Sequence, residues 1–523
     1  MPGSFLRVTV LRMAKDREIE LKLAIQPADA ATFRRLALLH GKGVVGPTRR
    51  KVFDVYFDTP ELALNEDAMA LRLRKVGGKW WQTLKAAGVA VGGLHQRAEW
   101  EFAQPVPQID LALFRKTPLG KLAQRSQLHL TLKPAFSIEY DRTTWLVEIS
   151  PGQRVEISLD QGVIRCEEKE SPISEVEIEL KEGSSAAVFD VACALVGQIA
   201  LNPEILSKGE RGYRLLRPQT LAPGRAKAVK LKRKWSLRHA NKAIIAACLD
   251  HFERNFAGAL ASEDPEYIHQ LRLALRRLRS ALRIFRPAEV GTIAAELIWL
   301  DAALGDTRDW DVLISKTLPR LLRLYGDAGF ANQLLTAGIR KQADARQAAR
   351  DALASPRAAL LVLAFGRLVN VPGELTFLPQ RIANAAATRR AEVKRCLARF
   401  AAHEIHRRHH HLVHAGTALE ERSELGRHRV RIHAKRLCDA VDFFSSLFGK
   451  RRGSQYATKL GKILHRLGET NDDAVAMALI EGLKPPERFI DFARDWFATS
   501  THTNLASSDR YIADLKSVRQ FWR

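Results

Sequence analysis

Along its first 217 residues the chain alternates apolar and polar side chains in short runs. Glu18, Glu20 and Lys22 fall on one side of the first run, with Ile19 and Leu21 on the other. In an extended strand successive side chains point to opposite faces, so the pattern predicts a strand with one charged and one apolar face. Similar runs predict strands at 51–58, 70–75, 80–85, 97–102, 128–139, 143–149, 154–159 and 175–180, with a helix over 27–39 after the first strand. Glycine pairs at 77–78 and 92–93, Ser-Pro-Gly at 150–152 and Asp-Gln-Gly at 160–162 supply turn signals between several of them. Eight or so antiparallel strands predict a barrel or closed sheet.

The charged faces recur from strand to strand. Arg72 and Arg74 share one, as do Glu99 and Glu101, then Glu156, Ser158 and Asp160, then Glu175, Glu177 and Glu179. The opposite faces carry Leu71, Leu73, Trp100, Phe102, Val176 and Ile178. Turned outward, the charges are a solvated surface; turned inward, they line a tunnel with both signs. Alternation alone leaves the two arrangements open. If the acidic strands face each other, their carboxylates make a site for a hard divalent cation.

The pattern changes after Leu216. Residues 218–234 are basic and Pro-bearing, and read as a linker. From Trp235 onward the period is helical. Over 267–285, His269, Arg272, Arg276, Arg279 and Arg283 fall on one face, and Leu271, Leu275, Leu278 and Leu282 on another. The layout returns with His428, Arg431 and Lys435 beside Val430, Ala434, Leu437 and Val441. LGDTRDWDVL at 304–313 is echoed by LGETNDDAVA at 467–476. Residues 235–523 therefore predict an internal duplication, two helical bundles at about 235–375 and 376–523.

Composition sharpens this division. The chain has 523 residues, enough for two or three domains, and a formal net charge of +25. Residues 1–217 hold 31 Lys+Arg against 27 Asp+Glu, whereas residues 218–523 hold 52 against 31. The second region is a polycation and calls for a polyanion: nucleic acid, anionic lipid or polyphosphate. Five scattered cysteines without CxxC spacing fit neither a zinc site nor a disulfide framework, and point to a reducing cytoplasm. No apolar run approaches a membrane span, so no membrane partner is expected. Residues 1–12, before Met13, read as an extension outside the fold.

EIELK at 18–22, YFDT at 56–59, LRLR at 71–74, TLK at 83–85, EWE at 99–101, SLDQG at 158–162, EVEIEL at 175–180 and SKGERGY at 207–213 occur in order. With these motifs, residues 13–217 resemble a CYTH domain, the fold of the triphosphate tunnel metalloenzymes. The resemblance implies an eight-stranded antiparallel tunnel with flanking helices, charges inside, that binds a triphosphate and uses Mg²⁺ or Mn²⁺. It implies Glu18, Glu20, Glu177 and Glu179 as metal-binding acids, with Asp160 and Glu175 as further candidates. Lys22, Arg72, Arg74, Lys85, Arg142 and Lys208 become the phosphate clamp, and Glu18, Glu20, Lys22 and Lys85 the catalytic set. Arginine suits such a clamp because its planar fork meets two phosphate oxygens at once. Thr83 departs from the pattern, since some family members carry an acid two residues before the lysine.

HQLRLALRRLRSAL at 269–282, RDWDVL at 308–313 and HRVRIHAKRL at 428–437 give residues 235–523 a resemblance to a CHAD domain. The fold class expected for the whole chain is α+β: a β tunnel barrel followed by an all-α duplicated domain. CHAD domains are associated with inorganic polyphosphate and occur fused behind CYTH domains. By position, His269, Arg272, Arg276, Arg277, His428, Arg431, Lys435 and Arg436 become the phosphate-contacting candidates. Cys438 and Asp439 replace the usual Arg and Tyr, which predicts a weaker second half. If His269 and His428 touch phosphate, binding should strengthen as pH falls through the imidazole range near ~6.5. HRRHHH at 406–411 reads as a solvated basic face rather than a metal site.

The expected function is hydrolysis of inorganic triphosphate, with the second region holding long-chain polyphosphate in the cytoplasm, at polyphosphate granules. The rivals are another triphosphate enzyme, such as a thiamine triphosphatase or adenylate cyclase, and a non-catalytic polyphosphate- or nucleic-acid-binding protein. Nucleic acid ranks below polyphosphate because no aromatic-interleaved basic platform is present to stack bases.

Overall fold

The computed structural model describes residues 17–126, 132–218, 222–285, 290–372 and 390–523. The expected extension at 1–12, the start of the strand expected at 128 and the repeat boundary near 375 lie outside the described residues. The chain divides into two compact units, Met1–Leu221 with Ser355–Pro372, and Ala222–Ala354 with Gly373–Arg523.

The first unit is a closed antiparallel barrel. Its strands are β1 (Arg17–Ile25), β2 (Val44–Asp58), β3 (Met69–Val76), β4 (Lys79–Val91), β5 (Leu94–Gln104), β6 (Lys133–Ser150), β7 (Gln153–Cys166) and β8 (Lys169–Glu182). They run in the order β5-β4-β3-β2-β6-β7-β8-β1, and pairing of β1 with β5 closes the ring. A short β9 (Leu201–Pro203) continues beside the far end of β1.

Closure decides which way the alternation points. Leu21, Leu23, Ile157, Val176 and Ile178 share one buried cluster with Val188, Phe189, Ala192 and Leu195 of the helix Ser185–Val196. The apolar faces are thus covered from outside the barrel, and the charged faces are left to the inside. Burying those side chains removes apolar area from water, at ~1.5–3 kcal/mol each. The helix Pro356–Asn370 belongs to the same unit and adds Ala359 and Leu363 to this cluster. Its Asn370 Nδ2 donates to Val91 O at 3.1 Å. Its Gly366 lies so close to Gly92, in the β4–β5 turn, that a Cβ on Gly366 would stand 2.9 Å from the Gly92 Cα.

Three local expectations differ from the structure. The strands expected at 128–139 and 143–149 are one strand, β6, because Tyr140, Asp141 and Arg142 keep pairing with Gly162, Gln161 and Asp160. Asp-Gln-Gly at 160–162 is therefore no turn. Gly162 is there because a side chain would run into Glu139 O and Tyr140 of β6. The helix expected over 27–39 is broken into Pro27–Asp29, Ala30–Phe33 and Ala37–Leu39.

In the second unit every described regular element is helical. The helices carrying the two basic stripes are Pro265–Phe285 and Glu424–Phe444. Their apolar stripes are buried at Leu271, Leu275, Leu278 and Leu282, and at Val430, Ala434, Leu437 and Val441. The two helices meet where Asp439 accepts from Arg276 Nη2 at 3.0 Å and from Ser280 Oγ at 2.5 Å. The later part of the stretch read as a linker is fastened to this unit: Leu231 N donates to Ser446 Oγ at 3.0 Å, and Arg233 Nε to Leu447 O at 2.9 Å.

Candidate active site in a charged tunnel

The barrel encloses a cavity of about 810 Å³. Of the tunnel residues expected from sequence, all but Asp160 and Glu175 line it, and those two are fully buried beside it. The YFDT motif holds one side in shape. Asp58 accepts the backbone N–H groups of Thr59, Leu64 and Asn65 and the hydroxyl of Tyr213 at 2.7–3.0 Å. Tyr213 sits on the helix Lys208–Leu216, which starts with a capping box between Ser207 and Glu210 and so carries Lys208 inward.

The acids and bases form three linked groups. At β1, β6, β7 and β8, Lys208 reaches in from its helix, with Nζ 2.6 Å from Asp160, 2.5 Å from Glu175 and 3.0 Å from Glu177. Arg142 makes a two-pronged pair with Asp160 at 2.7 and 2.6 Å and also reaches Glu177. Lys22 pairs with Glu20 at 2.9 Å and with Glu177. On β1, β4 and β5, Lys85 Nζ lies 2.9 Å from Glu18 and 3.0 Å from Glu99. Arg97 donates to Glu20 at 2.7 Å and to Glu18 at 3.4 Å. On β2 and β3, Arg74 grips Asp54 at 2.7 and 2.8 Å, while Arg72 lies 3.7 Å from Asp54 and 3.6 Å from Glu99.

Burial makes these pairs strong. It pushes the Glu177 carboxyl upward, but Lys208, Lys22 and Arg142 override it and hold the group well below the usual carboxylate range. At Glu20 burial again pushes upward, and the surrounding cations, Lys22 first and then Lys85, leave the carboxyl lowered. Burial likewise opposes ionisation of Glu99, and Lys85, a hydrogen bond with Glu18 and then Arg72 together bring it down to about 2. Glu179 differs. It pairs with Lys181 at 2.7 Å, and burial raises its carboxyl. Oxygens of Asp160, Glu175 and Glu177 lie within 4.8 Å of one another, the one such group of three potential metal ligands among the described residues.

Asp54, His95, Arg97, Glu99 and Tyr140 also line or brace the tunnel without having been singled out as site residues. The signal was present as alternation: Asp54 shares a face with Tyr56 and Asp58, and His95 and Arg97 share one with Glu99 and Glu101. At the Thr83 departure, the hydroxyl donates to Glu101 at 3.0 Å, so a carboxylate stands beside that position from another strand.

In the helical unit, Arg272 lies 3.4 Å from Asp301 and 3.6 Å from Asp309, and Arg431 donates to Asn471. Lys435 has no carboxylate at ion-pair distance among the described residues. Burial, then Arg431, Arg276 and Arg272, lowers its ammonium to about 7. The Nε atoms of Arg276, Arg279, Arg431 and Arg436 are buried without a protein acceptor. Arg277 is turned away from the stripe: it is buried and stacks 5.4 Å over the Phe443 ring. His428 is exposed, whereas burial and Arg308 lower His269 to about 4. His269 therefore stays neutral through pH 6.5, and Lys435 is a group of the stripe poised near neutrality. In the histidine run, His409 bonds Tyr456 at 2.8 Å and His411 meets His433 with ring centroids 5.6 Å apart.

Residues 16–213 match the CYTH domain family and residues 243–481 the CHAD domain family. The chain joins a CYTH domain to a CHAD domain. The CYTH–CHAD chain is 36% identical over 205 residues to the inorganic triphosphatase of Haemophilus influenzae, a match covering 38% of this chain and 55% of that protein. It thus spans about half the length of this curated relative. Among solved structures, the CHAD domain of the plant Ricinus communis is 30% identical with a TM-score of 0.48, covering 57% of this chain and 98% of that one. A Hippeastrum protein, described as an adenylyl cyclase with a dominant triphosphatase activity, is 18% identical with a TM-score of 0.29, covering 38% and 98%.

Proposed function

We propose that the CYTH tunnel hydrolyses inorganic triphosphate to release phosphate, and that the CHAD unit holds long-chain polyphosphate. The observation carrying the first part is the convergence of Lys22, Arg72, Arg74, Lys85, Arg142 and Lys208 on one cavity inside the barrel. These cations read phosphoryl oxygens and nothing else of a substrate. The name of the Haemophilus relative supports the same activity.

The donor set fits a hard divalent ion, since the clustered oxygens of Asp160, Glu175 and Glu177 are the ligand type Mg²⁺ and Mn²⁺ prefer. Glu18, Glu20 and Glu179 complete the proposed metal-binding set. A bound ion would supply Lewis-acid stabilisation of charge on the phosphoryl group. The protein's own groups do the rest. Lys22, Arg142 and Lys208 hold one stretch of the chain of phosphates, and Arg72, Arg74 and Lys85 the other. Held in place, the anhydride is oriented for in-line attack by water, and fixed cations meet the developing charge without reorganising. A tunnel carboxylate that the metal does not take up accepts that water's proton.

For the CHAD unit, the support is the set of buried guanidinium N–H groups without a protein acceptor, together with Lys435, which has no carboxylate at ion-pair distance among the described residues. The proposed contacts are His269, Arg272, Arg276, His428, Arg431, Lys435 and Arg436, with Arg277 packing beneath them. Among the described residues no single helix is long and apolar enough to cross a membrane. We place the protein in the cytoplasm, at polyphosphate granules.

A phosphate-release panel on the whole protein tests this reading, with tripolyphosphate, long polyphosphate, ATP and thiamine triphosphate, each with Mg²⁺ or Mn²⁺. Tripolyphosphate should be fastest. An equal or faster ATP or thiamine triphosphate rate would shift the assignment to that substrate. No release from any of them would leave a non-catalytic polyanion binder.

A further inference from the structure

The first two acids of EIELK are each held by two cations, and Arg97 is common to both. Glu18 and Arg97 stand directly opposite each other in the β1–β5 pairing, as do Glu20 and His95. Arg97 therefore shares a face with both acids. Its Nη2 donates to Glu20 Oε1 at 2.7 Å and its Nε to Glu18 Oε2 at 3.4 Å. Lys22 holds the other Glu20 oxygen at 2.9 Å, and Lys85 holds Glu18 at 2.9 and 3.1 Å. The Arg97 side chain is only 18% exposed, so this pairing is little screened by solvent.

A guanidinium keeps its proton, so it can leave a carboxylate only by moving. A divalent ion taken up by Glu18 and Glu20 competes with Arg97 for Glu18 Oε2 and Glu20 Oε1 and sets a like charge beside its guanidinium. The geometry points to Arg97 as a positioning residue that exchanges partners: it holds Glu18 and Glu20 until a metal takes them, then turns its planar fork to a phosphoryl oxygen of the substrate. Metal and triphosphate are then linked, because each favours the same position of Arg97. This inference rests on the proposed assignment of Glu18 and Glu20 as metal-binding acids. No covalent bond forms or breaks, and no proton moves in the exchange.

The experiment is Mn²⁺ titration of the whole protein, following free Mn²⁺ by electron paramagnetic resonance, for wild type, Arg97→Met and Arg97→Lys. Without substrate, Arg97→Met should bind Mn²⁺ at least ~10-fold more tightly, since a like charge beside the ion is gone. Arg97→Lys should fall between the two. In steady-state assays both variants should raise the KM for tripolyphosphate more than they lower kcat. A residue that merely held the barrel together would weaken metal binding on removal, so tightening separates the two roles. Unchanged or weaker Mn²⁺ binding in variants that keep the wild-type circular dichroism would overturn the inference, as would a wild-type protein that binds no Mn²⁺. Should Arg97→Met not fold, Arg97→Lys carries the comparison. If wild type binds Mn²⁺ but hydrolyses no triphosphate, the proposed activity fails while the titration still decides the role of Arg97.

Discussion

Glu177→Gln is the sharpest probe of the tunnel, because Glu177 touches three of its cations. The substitution keeps the shape and removes one negative charge from beside Lys22, Arg142 and Lys208. Stripping a buried ion of its partner costs ~3–5 kcal/mol. Here no cation is left alone: Lys22 keeps Glu20 at 2.9 Å, Arg142 keeps Asp160 at 2.7 and 2.6 Å, and Lys208 keeps Asp160 at 2.6 Å and Glu175 at 2.5 Å. The glutamine oxygen also still accepts a hydrogen bond. The expected cost is therefore lower, about 2 kcal/mol, the scale of a weakened charge-assisted hydrogen bond. For a unit of this size that is a fall in Tm of roughly 4–8 °C. The pH dependence gives an independent check. Glu177 is held well below its ordinary 4.5, so its stabilising contribution is full above that value and is lost as pH falls below it through the folded pKa. Wild type should thus lose stability more steeply than the variant below about pH 4.5. Metal-dependent tripolyphosphate hydrolysis should drop by at least ~10²-fold, the scale of losing one element of transition-state stabilisation. Thermal unfolding followed by circular dichroism, beside phosphate release at neutral pH, measures both. Wild-type turnover in a folded Glu177→Gln protein would refute the site. A loss of folding at room temperature would refute the claim that the three cations retain adequate partners.

Two predictions concern the CHAD unit. Lys435 titrates near 7, so polyphosphate affinity should weaken as pH rises from 6 to 8, and Lys435→Met should flatten that dependence in a filter-binding assay. The sign for stability is the reverse: a folded pKa below the unfolded 10.5 means stability gained between about pH 7 and 10.5, visible as a rising Tm that Lys435→Met removes. Charge reversal at Arg272 and Arg431 together should abolish polyphosphate retention and reduce the slope of log affinity against log salt. Equal retention at all salt concentrations would show that the stripe is not the binding surface.

Much of the site was written in the alternation. Glu18, Glu20 and Lys22, like Arg72 and Arg74, share a face because a strand has a period of two, and no fold is needed to see it. Ordered motifs such as EIELK and SKGERGY, with the basic His-Arg stripes, likewise made the domain resemblances legible in the chain. Local patterns misled where a long-range pairing overrode them. Tyr140–Arg142 looked like a break between strands, yet the ladder to Gly162, Gln161 and Asp160 carries β6 straight through. Alternation left open which way the charged faces point; the family resemblance implied inward, and the tertiary structure turns them there. That follows from the β1–β5 closure and from the helix Ser185–Val196 covering the apolar side, and neither is a property of any single strand. It also chose partners. Arg97 meets Glu18 and Glu20 across nearly eighty residues of chain, and the helix Pro356–Asn370 packs with the barrel although its own pattern reads like that of any bundle helix. A side chain's face is fixed by local backbone geometry. Its partner is fixed by which distant surface can bury the same apolar area and bring opposite charges to it.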